Sequence, residues 1–278
     1  MQRNPEWLKV RMGGGEQYAR VAQIVRNNRL HTVCRSASCP NLGECWSRGT
    51  ATMMILGEVC TRGCRFCAVP EGRPAPPDPT EPVRLAEAVH QMGLRYVVIT
   101  SVTRDDLPGG GAEIWADTIR EVRRHNSGVT IEVLIPDFSG NWEALGRVLA
   151  EKPDVLNHNL ETVPRLYPQA RPQADYDRSC ELLTRAHRAG LTTKTGLMLG
   201  LGESDDEVRE VFSDLVRIGV DRLTLGQYLQ PSRDHLEVVR YLTPAEFDAW
   251  GERARAYGLT AVESSPLVRS SYHAEAMG

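Results

Sequence analysis

Two hydrophobic periods alternate along this chain of 278 residues. Short apolar, β-branched runs at Met53–Gly57, Tyr96–Val102, Val129–Ile135, Asp154–Leu160, Thr192–Leu199, Arg222–Leu229 and Leu259–Glu263 predict strands. Between them lie stretches whose apolar positions recur with a helical period: Glu81–Met92, Ala112–His125, Trp142–Glu151, Tyr176–Ala189, Ser204–Ile218 and Pro244–Tyr257. Gly93 and Gly190 stand just past two of these helices, and Thr243 is placed to cap the last. Strand and helix alternating with short connections imply parallel strands joined by right-handed crossovers. The length from Met53 onward is short for eight such units. The pattern therefore predicts an α/β fold, a partial, open (β/α)6 barrel, with no internal sequence repeat.

The segments outside this alternation are polar. Residues 1–30 contain a Gly13-Gly14-Gly15 break and a short helix from Tyr18 to Arg29. No strand precedes the glycines and no Gly-Lys-Ser/Thr follows, so they read as a hinge and not as a phosphate loop. Val69 to Thr80 is too rich in proline for regular structure and reads as a loop. We expect residues 1–50 to be an extension, 51–263 the barrel, and 264–278 a C-terminal segment for which disorder is the default.

Composition narrows the function classes. Hydrophobic residues are 41% and charged residues 25%, ordinary for a globular protein. A net charge of −3 gives no reason to expect nucleic acid or an acidic membrane as partner. No apolar run reaches the ~18 residues that span a bilayer, and Met1–Leu8 lacks a leader's apolar stretch, so the expected location is cytoplasmic. In that compartment cysteines serve as metal ligands more often than as disulfides.

Six of the seven cysteines fall between positions 34 and 67. Cys60-Thr-Arg-Gly-Cys64-Arg-Phe-Cys67 lies on the loop leaving the Met53–Gly57 strand, at the end where a β/α barrel collects its active-site loops. Three thiolates there suit three corners of a cubane iron–sulfur cluster and leave one iron open. Structural zinc sites usually close with four ligands, and no fourth lies near. Upstream, Cys34, Cys39 and Cys45 form a second triplet around Pro40 and Gly43. Two triplets allow one zinc site or two clusters. Cys180, alone on a helix, reads as packing. Function should also gather after the other strands, at Thr100–Ala112 with its three glycines and at Asn157-His158-Asn159-Leu-Glu161-Thr162. His158, alone, reads as a hydrogen-bonded histidine rather than a metal ligand.

The C-x3-C-x2-C loop, with Phe66 before its last cysteine, resembles the radical S-adenosylmethionine (SAM) superfamily. Joined to the upstream C-x4-C-x5-C, it resembles the lipoyl synthase family. Further segments carry the same likeness: Thr100–Ala112, with Gly109 where the family has an acid; Asn157–Thr162; Lys194–Glu203, with Thr195 in place of serine; Gly226–Ser232; and Pro266–Ala274, containing Arg269-Ser270-Ser271-Tyr272. The resemblance runs from about Leu30 to Ala274.

That resemblance implies two [4Fe–4S] clusters. Cys60, Cys64 and Cys67 would hold the one that binds SAM; Cys34, Cys39, Cys45 and a serine, Ser271 before Ser270, would hold an auxiliary one. SAM contacts would come from Phe66, Gly110, Gly111, Asn157, Asn159, Glu161, Lys194, Met198, Gln227 and Tyr228. A serine oxygen is harder than a thiolate, so one iron of the auxiliary cluster would be held differently from the rest. The implied reaction inserts sulfur at C6 and C8 of a protein-bound octanoyl-lysine: SAM cleavage gives a 5′-deoxyadenosyl radical, the auxiliary cluster gives up sulfur, and no side chain acts as acid or base. Implied partners are octanoylated lipoyl domains of 2-oxoacid dehydrogenases or the glycine-cleavage H protein, and an electron donor such as flavodoxin or ferredoxin. The alternatives are another radical SAM sulfur-inserting enzyme, biotin synthase-like or methylthiolating, and a noncatalytic zinc-binding module.

Overall fold

The side chains of Asn141, Asp175, Ser204 and Thr243 cap the starts of four helices, and left-handed Gly93, Gly219 and Gly258 end three. The computed structural model describes residues 5–10 and 13–277. The chain divides into two units, one of residues 10–62 and 68–155, the other of residues 1–9, 63–67 and 156–278.

The first unit opens with helix α1 (Glu16–Asn27), strand β1 (His31–Thr32) and two short helices, α2 (Val33–Ser36) and α3 (Leu42–Ser47). There follow β2 (Met53–Ile55), α4 (Glu81–Met92), β3 (Tyr96–Ser101), α5 (Ala112–His125), β4 (Thr130–Leu134) and α6 (Trp142–Ala150). Strands β2, β3 and β4 are parallel, with Met53 opposite Ile99 and Tyr96 opposite Thr130. Strand β1 runs antiparallel to β2, which the sequence pattern does not show. Helix α5 packs between α4 and α6. The buried face is built from the positions the two periods single out: Ile99, Ile131 and Val133 from the strands, and Leu85, Val89, Trp115, Ile119 and Leu145 from the helices. Each such side chain contributes about 1.5–3 kcal/mol by leaving water.

Strand β5 (Val155–Asn157) sits where the units meet along the chain. The second unit continues with α7 (Tyr167–Ala170), α8 (Tyr176–Arg188), β6 (Thr192–Leu199), α9 (Asp205–Ile218), β7 (Arg222–Gln227), α10 (Pro244–Tyr257) and β8 (Ala261–Ser264). Strands β6, β7 and β8 are parallel, Gly196 opposite Thr224 and Thr224 opposite Glu263. Their core includes Leu197, Leu199, Leu223, Leu225, Phe212, Leu215, Phe247 and Trp250. Ser204 with Glu207, and Thr243 with Glu246, form capping boxes that start α9 and α10.

Two expectations need correction. The stretch around Cys34–Cys45 is not all loop, since α2 and α3 occupy much of it. The C-terminal segment is ordered: Ser265 N–H donates to the Leu225 carbonyl at 3.2 Å, Gln227 N–H donates to that of Pro266 at 3.2 Å, and Ala274–Met277 closes as a 3-10 turn. Backbone pairing to β7 supplies the order that its polar composition does not. Among the described residues no helix is long and apolar enough to cross a membrane.

Candidate active site

In the first unit, the chain leaves β2 through a sharp left-handed turn. Leu56 has φ 67° and Gly57 φ 96°. A left-handed leucine costs about 1–2 kcal/mol, and two buried partners offset that: Leu56 N–H donates to Glu81 Oε2 at 2.8 Å, and its carbonyl accepts Arg104 Nη1 at 3.2 Å. Burial pushes the Glu81 carboxyl up from its ordinary range. Cys60 follows, bridged to Glu71. Its Sγ accepts the backbone N–H of Arg62 at 3.4 Å and of Thr103 at 3.3 Å. Thr61 donates its N–H (3.1 Å) and hydroxyl (3.0 Å) to the Thr103 carbonyl, and its hydroxyl accepts Asp105 N–H at 3.1 Å. The Arg62 side chain, 4% exposed, forks onto Asp105 through Nε at 2.6 Å and Nη2 at 2.9 Å. Its Nη2 also reaches Asp137 Oδ1 at 2.7 Å and Ser139 Oγ at 2.9 Å.

The glycine loop is in the same unit. Gly110 (φ 61°) and Gly111 (φ 83°) both take left-handed backbones ahead of α5. A Cβ on Gly110 would stand 2.9 Å from Phe138, and one on Gly111 would stand 2.6 Å from Leu56. The loop therefore brings bare backbone close to the start of the cysteine loop.

The upstream triplet is also here: Cys34 on α2, Cys39 in the turn, Cys45 on α3. Cys39 N–H donates to the Cys34 carbonyl at 3.0 Å and Cys45 N–H to that of Asn41 at 2.9 Å. The Trp46 ring is tilted 43° to that of Tyr18, 5.4 Å away, and the Arg35 guanidinium lies over it at 4.7 Å. Burial pushes the Cys45 thiol up to about 12, and the neighbouring Cys34 and Cys39 sulfurs add to the rise, so the three feel one another. The Gly13 hinge presses so closely on the Gly43 backbone that a Cβ would overlap it.

The second unit carries Cys64, Phe66 and Cys67. Cys67 N–H closes a turn onto the Cys64 carbonyl at 3.0 Å. Arg65 is held on both sides, donating to Ala170 O at 2.8 Å and accepting Leu236 N–H at 2.9 Å. Phe66 packs against the apolar core. His235, which no spacing in the sequence singles out, places Nε2 2.9 Å from the Cys67 carbonyl and Nδ1 2.8 Å from Ser232 Oγ. A carbonyl only accepts, so Nε2 donates, and Nδ1 accepts the Ser232 hydroxyl in the neutral ring.

The strand ends of this unit gather most of the other candidates. Asn157 and Lys194 are wholly buried. His158 Nε2 meets Ser179 Oγ at 3.0 Å, the hydrogen-bonded role expected of it. Asn159 Nδ2 donates to Glu161 Oε1 at 3.1 Å and to Ser270 Oγ at 2.6 Å. Glu161 has a left-handed backbone (φ 69°) pinned to Gly196 at 2.9 Å and Met198 at 2.8 Å. Burial pushes its carboxyl up, while Arg171 and Arg269 pull it down. Thr195 Oγ1 donates to the His158 carbonyl at 2.8 Å, the work a serine hydroxyl would do. Gln227 is spent on the backbone, with Nε2 on Leu199 O at 3.0 Å and Arg240 O at 3.0 Å, and Oε1 on Leu242 N–H at 2.8 Å. Tyr228 donates to Leu236 O at 2.7 Å. Ser271 is partly exposed.

Among the described residues no three His, Cys, Asp or Glu side chains form a ready-made metal cage. The donor sets nonetheless fit iron–sulfur clusters in kind: none of the seven cysteines is in a disulfide, and Cys60 already receives the N–H···S bonds that a cluster thiolate takes.

Residues 54–215 match the model of the radical SAM superfamily. The chain is 58% identical to the lipoyl synthase of Methylococcus capsulatus over 98% of this chain and 86% of that one. It is 56% identical to the lipoyl synthase of Pelodictyon phaeoclathratiforme over 99% of this chain and 94% of that one. Among solved structures it resembles Streptococcus suis SuiB bound to S-adenosylmethionine (TM-score 0.61, 12% identity, 82% of this chain and 55% of that one). It also resembles methylornithine synthase (TM-score 0.51, 13% identity, 81% and 70%). These two show the fold: the partial α/β barrel of radical SAM proteins.

Proposed function

This chain belongs to the lipoyl synthase family of the radical SAM superfamily, and from that premise we propose that its two cysteine triplets hold two different [4Fe–4S] clusters within one reaction. The reaction is sulfur insertion at C6 and C8 of a protein-bound octanoyl-lysine, giving the lipoyl group. Cys60, Cys64 and Cys67 ligate the cluster that binds SAM; Cys34, Cys39, Cys45 and Ser271 ligate the auxiliary cluster, the sulfur donor. When bound, the first cluster and SAM supply the hydrogen abstraction that unactivated C–H bonds require.

The chain's own residues bind, orient and exclude water. Gly110 and Gly111 would let backbone approach the amino end of SAM, and Asn157, Asn159, Glu161, Lys194 and Met198 would contribute further contacts to it. Phe66, Gln227 and Tyr228 would complete the SAM-binding set, and each is itself fixed, Phe66 by core packing and Gln227 and Tyr228 by hydrogen bonds to backbone carbonyls. Residues 1–50 carry the auxiliary loop, 51–263 the barrel, and 264–278 the segment that closes the auxiliary site. The carrier is an octanoylated lipoyl domain or the glycine-cleavage H protein, and a flavodoxin or ferredoxin brings electrons, in a cytoplasm that keeps thiols reduced.

One observation carries the reading: identity of 58% extends over 98% of the chain, a span wide enough to take in both triplets and the terminal serines. The test is an anaerobic assay with SAM, reductant and an octanoyl-lysyl peptide, read by mass spectrometry. Two sulfurs gained on the peptide, with 5′-deoxyadenosine formed, support it. 5′-Deoxyadenosine without sulfur transfer would sink the auxiliary-cluster assignment, and a colourless chain carrying zinc would sink both.

A further inference from the structure

We propose that Arg62 is a positioning residue for the SAM-binding cluster, holding in place the two backbone N–H groups aimed at the Cys60 thiol and so setting the cluster's reduction potential. The inference rests on reading Cys60, Cys64 and Cys67 as cluster ligands.

Arg62 is buried where an exposed arginine would serve the loop equally well as a mere spacer between cysteines. A buried guanidinium is tolerated only when its donors are matched, and here four contacts do so. The bidentate fork onto Asp105 reaches the loop after β3. The contacts to Asp137 and Ser139 reach the turn after β4. Arg62 itself sits on the loop after β2. Three consecutive strand ends are thus tied at one side chain, with the planar, fixed geometry that arginine gives and lysine does not. The acceptors are themselves organised: Ser139 Oγ donates to Asp105 Oδ1 at 2.8 Å, and Ser139 N–H donates to Asp137 Oδ1 at 3.1 Å.

This tie bears directly on Cys60. One N–H on its sulfur is Arg62's own; the other belongs to Thr103, two residues before Asp105. Thr61, between Cys60 and Arg62, bonds both Thr103 and Asp105. Loss of the fork frees the 60–62 and 103–105 backbones to part, and both N–H···S bonds lengthen together. Such bonds draw charge from a cluster thiolate and raise its potential. A weaker pair makes the cluster harder to reduce, which slows SAM cleavage at a fixed reductant.

The experiment compares Arg62→Ala, Arg62→Lys and Ser139→Ala with the wild-type chain, each full-length and anaerobically loaded with iron and sulfide. Electron paramagnetic resonance during a redox titration, with and without SAM, isolates the SAM-responsive cluster. Release of 5′-deoxyadenosine is measured at one reductant concentration. The expected result is a lower midpoint and cleavage slowed about tenfold in Arg62→Ala, an intermediate shift in Arg62→Lys, and a small shift of the same sign in Ser139→Ala. A SAM-responsive signal at the wild-type midpoint in Arg62→Ala overturns the proposal. If Arg62→Ala fails to load iron, Arg62→Lys, which keeps the charge but loses the bidentate fork, decides: a lowered midpoint supports the proposal and an unmoved one overturns it. A wild-type chain with no SAM-responsive signal would instead overturn the ligand assignment on which the proposal stands.

Discussion

Asn159 Nδ2 donates to Ser270 Oγ at 2.6 Å across 111 residues of sequence. The bond joins the polar end of β5 to the terminal Arg269-Ser270-Ser271-Tyr272 run. The same serine hydroxyl lies so near the Gly196 α-carbon that a Cβ there would stand 3.3 Å away. Ser270 is therefore built into the second unit's strand ends, which supports Ser271 over Ser270 in the proposed ligand set. The two serines should be separable by substitution.

On the proposed assignment, Ser271→Ala should leave SAM cleavage intact and abolish lipoyl formation, because only the auxiliary cluster would lose a ligand. 5′-Deoxyadenosine by chromatography and peptide mass together check this. Equal loss of both products would remove Ser271 from the ligand set. Ser270→Ala should retain measurable sulfur insertion, reduced through a loosened segment.

Gly226 passes directly under the terminal segment, and a Cβ on it would overlap the Val268 carbonyl oxygen. Backbone cannot swing aside as a long side chain can, so Gly226→Ala should displace the segment at a cost of about 1–3 kcal/mol. We expect faster proteolysis near Ser265–Tyr272 and loss of sulfur insertion with SAM binding kept. A variant with wild-type protection there would show that the segment tolerates the shift.

The strand–helix alternation was legible where a long helix carries its own start or stop signal. Glu81–Met92 ends on left-handed Gly93, and Pro244–Tyr257 starts on the Thr243 capping box, so sequence and structure agree to the residue at both. The elements that were missed have no local signal. A strand of two residues, His31–Thr32, has no period to read. Helices as short as Val33–Ser36 and Tyr167–Ala170 lie below the length at which helices form unaided, and tertiary packing makes them. The site divides in the same way. Cysteine spacing singled out the two candidate triplets, since grouped thiols are visible in the sequence without tertiary information. The residues that hold the loops, Arg62 and His235, were hidden because their partners lie 43 and 168 positions away.

Acid should weaken the start of α9 through Glu207. The Arg165 guanidinium, with the Ser204 backbone N–H, holds the Glu207 carboxyl down to about 2. An unfolded glutamate titrates near ~4.3. The folded pKa is the lower, so the charge stabilises the fold above the unfolded value, and that contribution disappears as pH falls from about 4.3 to about 2. The Arg165 side of the pair is open to solvent, so the effect is modest and salt-sensitive. Glu207→Gln keeps an acceptor for the Ser204 N–H but not the charge. The gap in thermal midpoint between wild type and Glu207→Gln should be open at pH 6 and narrow through that window. A gap that stays constant down to pH 3 would show that the charge does not matter.

Gly111→Ala should be the most damaging single change in the glycine loop. Two costs combine there. A left-handed alanine is disfavoured by about 1–2 kcal/mol, and its Cβ would press on Leu56 at 2.6 Å. Leu56 cannot yield freely, since its own left-handed backbone is fixed by Glu81 and Arg104 at the head of the cysteine loop. The strain is therefore passed to Cys60 and not absorbed. Gly110→Ala meets the edge of the Phe138 ring at 2.9 Å, a side chain that lies off the cysteine loop. SAM binding measured anaerobically by calorimetry should fall further for Gly111→Ala than for Gly110→Ala, with iron content at the SAM-binding triplet lowered only in the former. The reverse order would mean that the loop acts through ligand contact at Gly110 and not through its grip on Leu56.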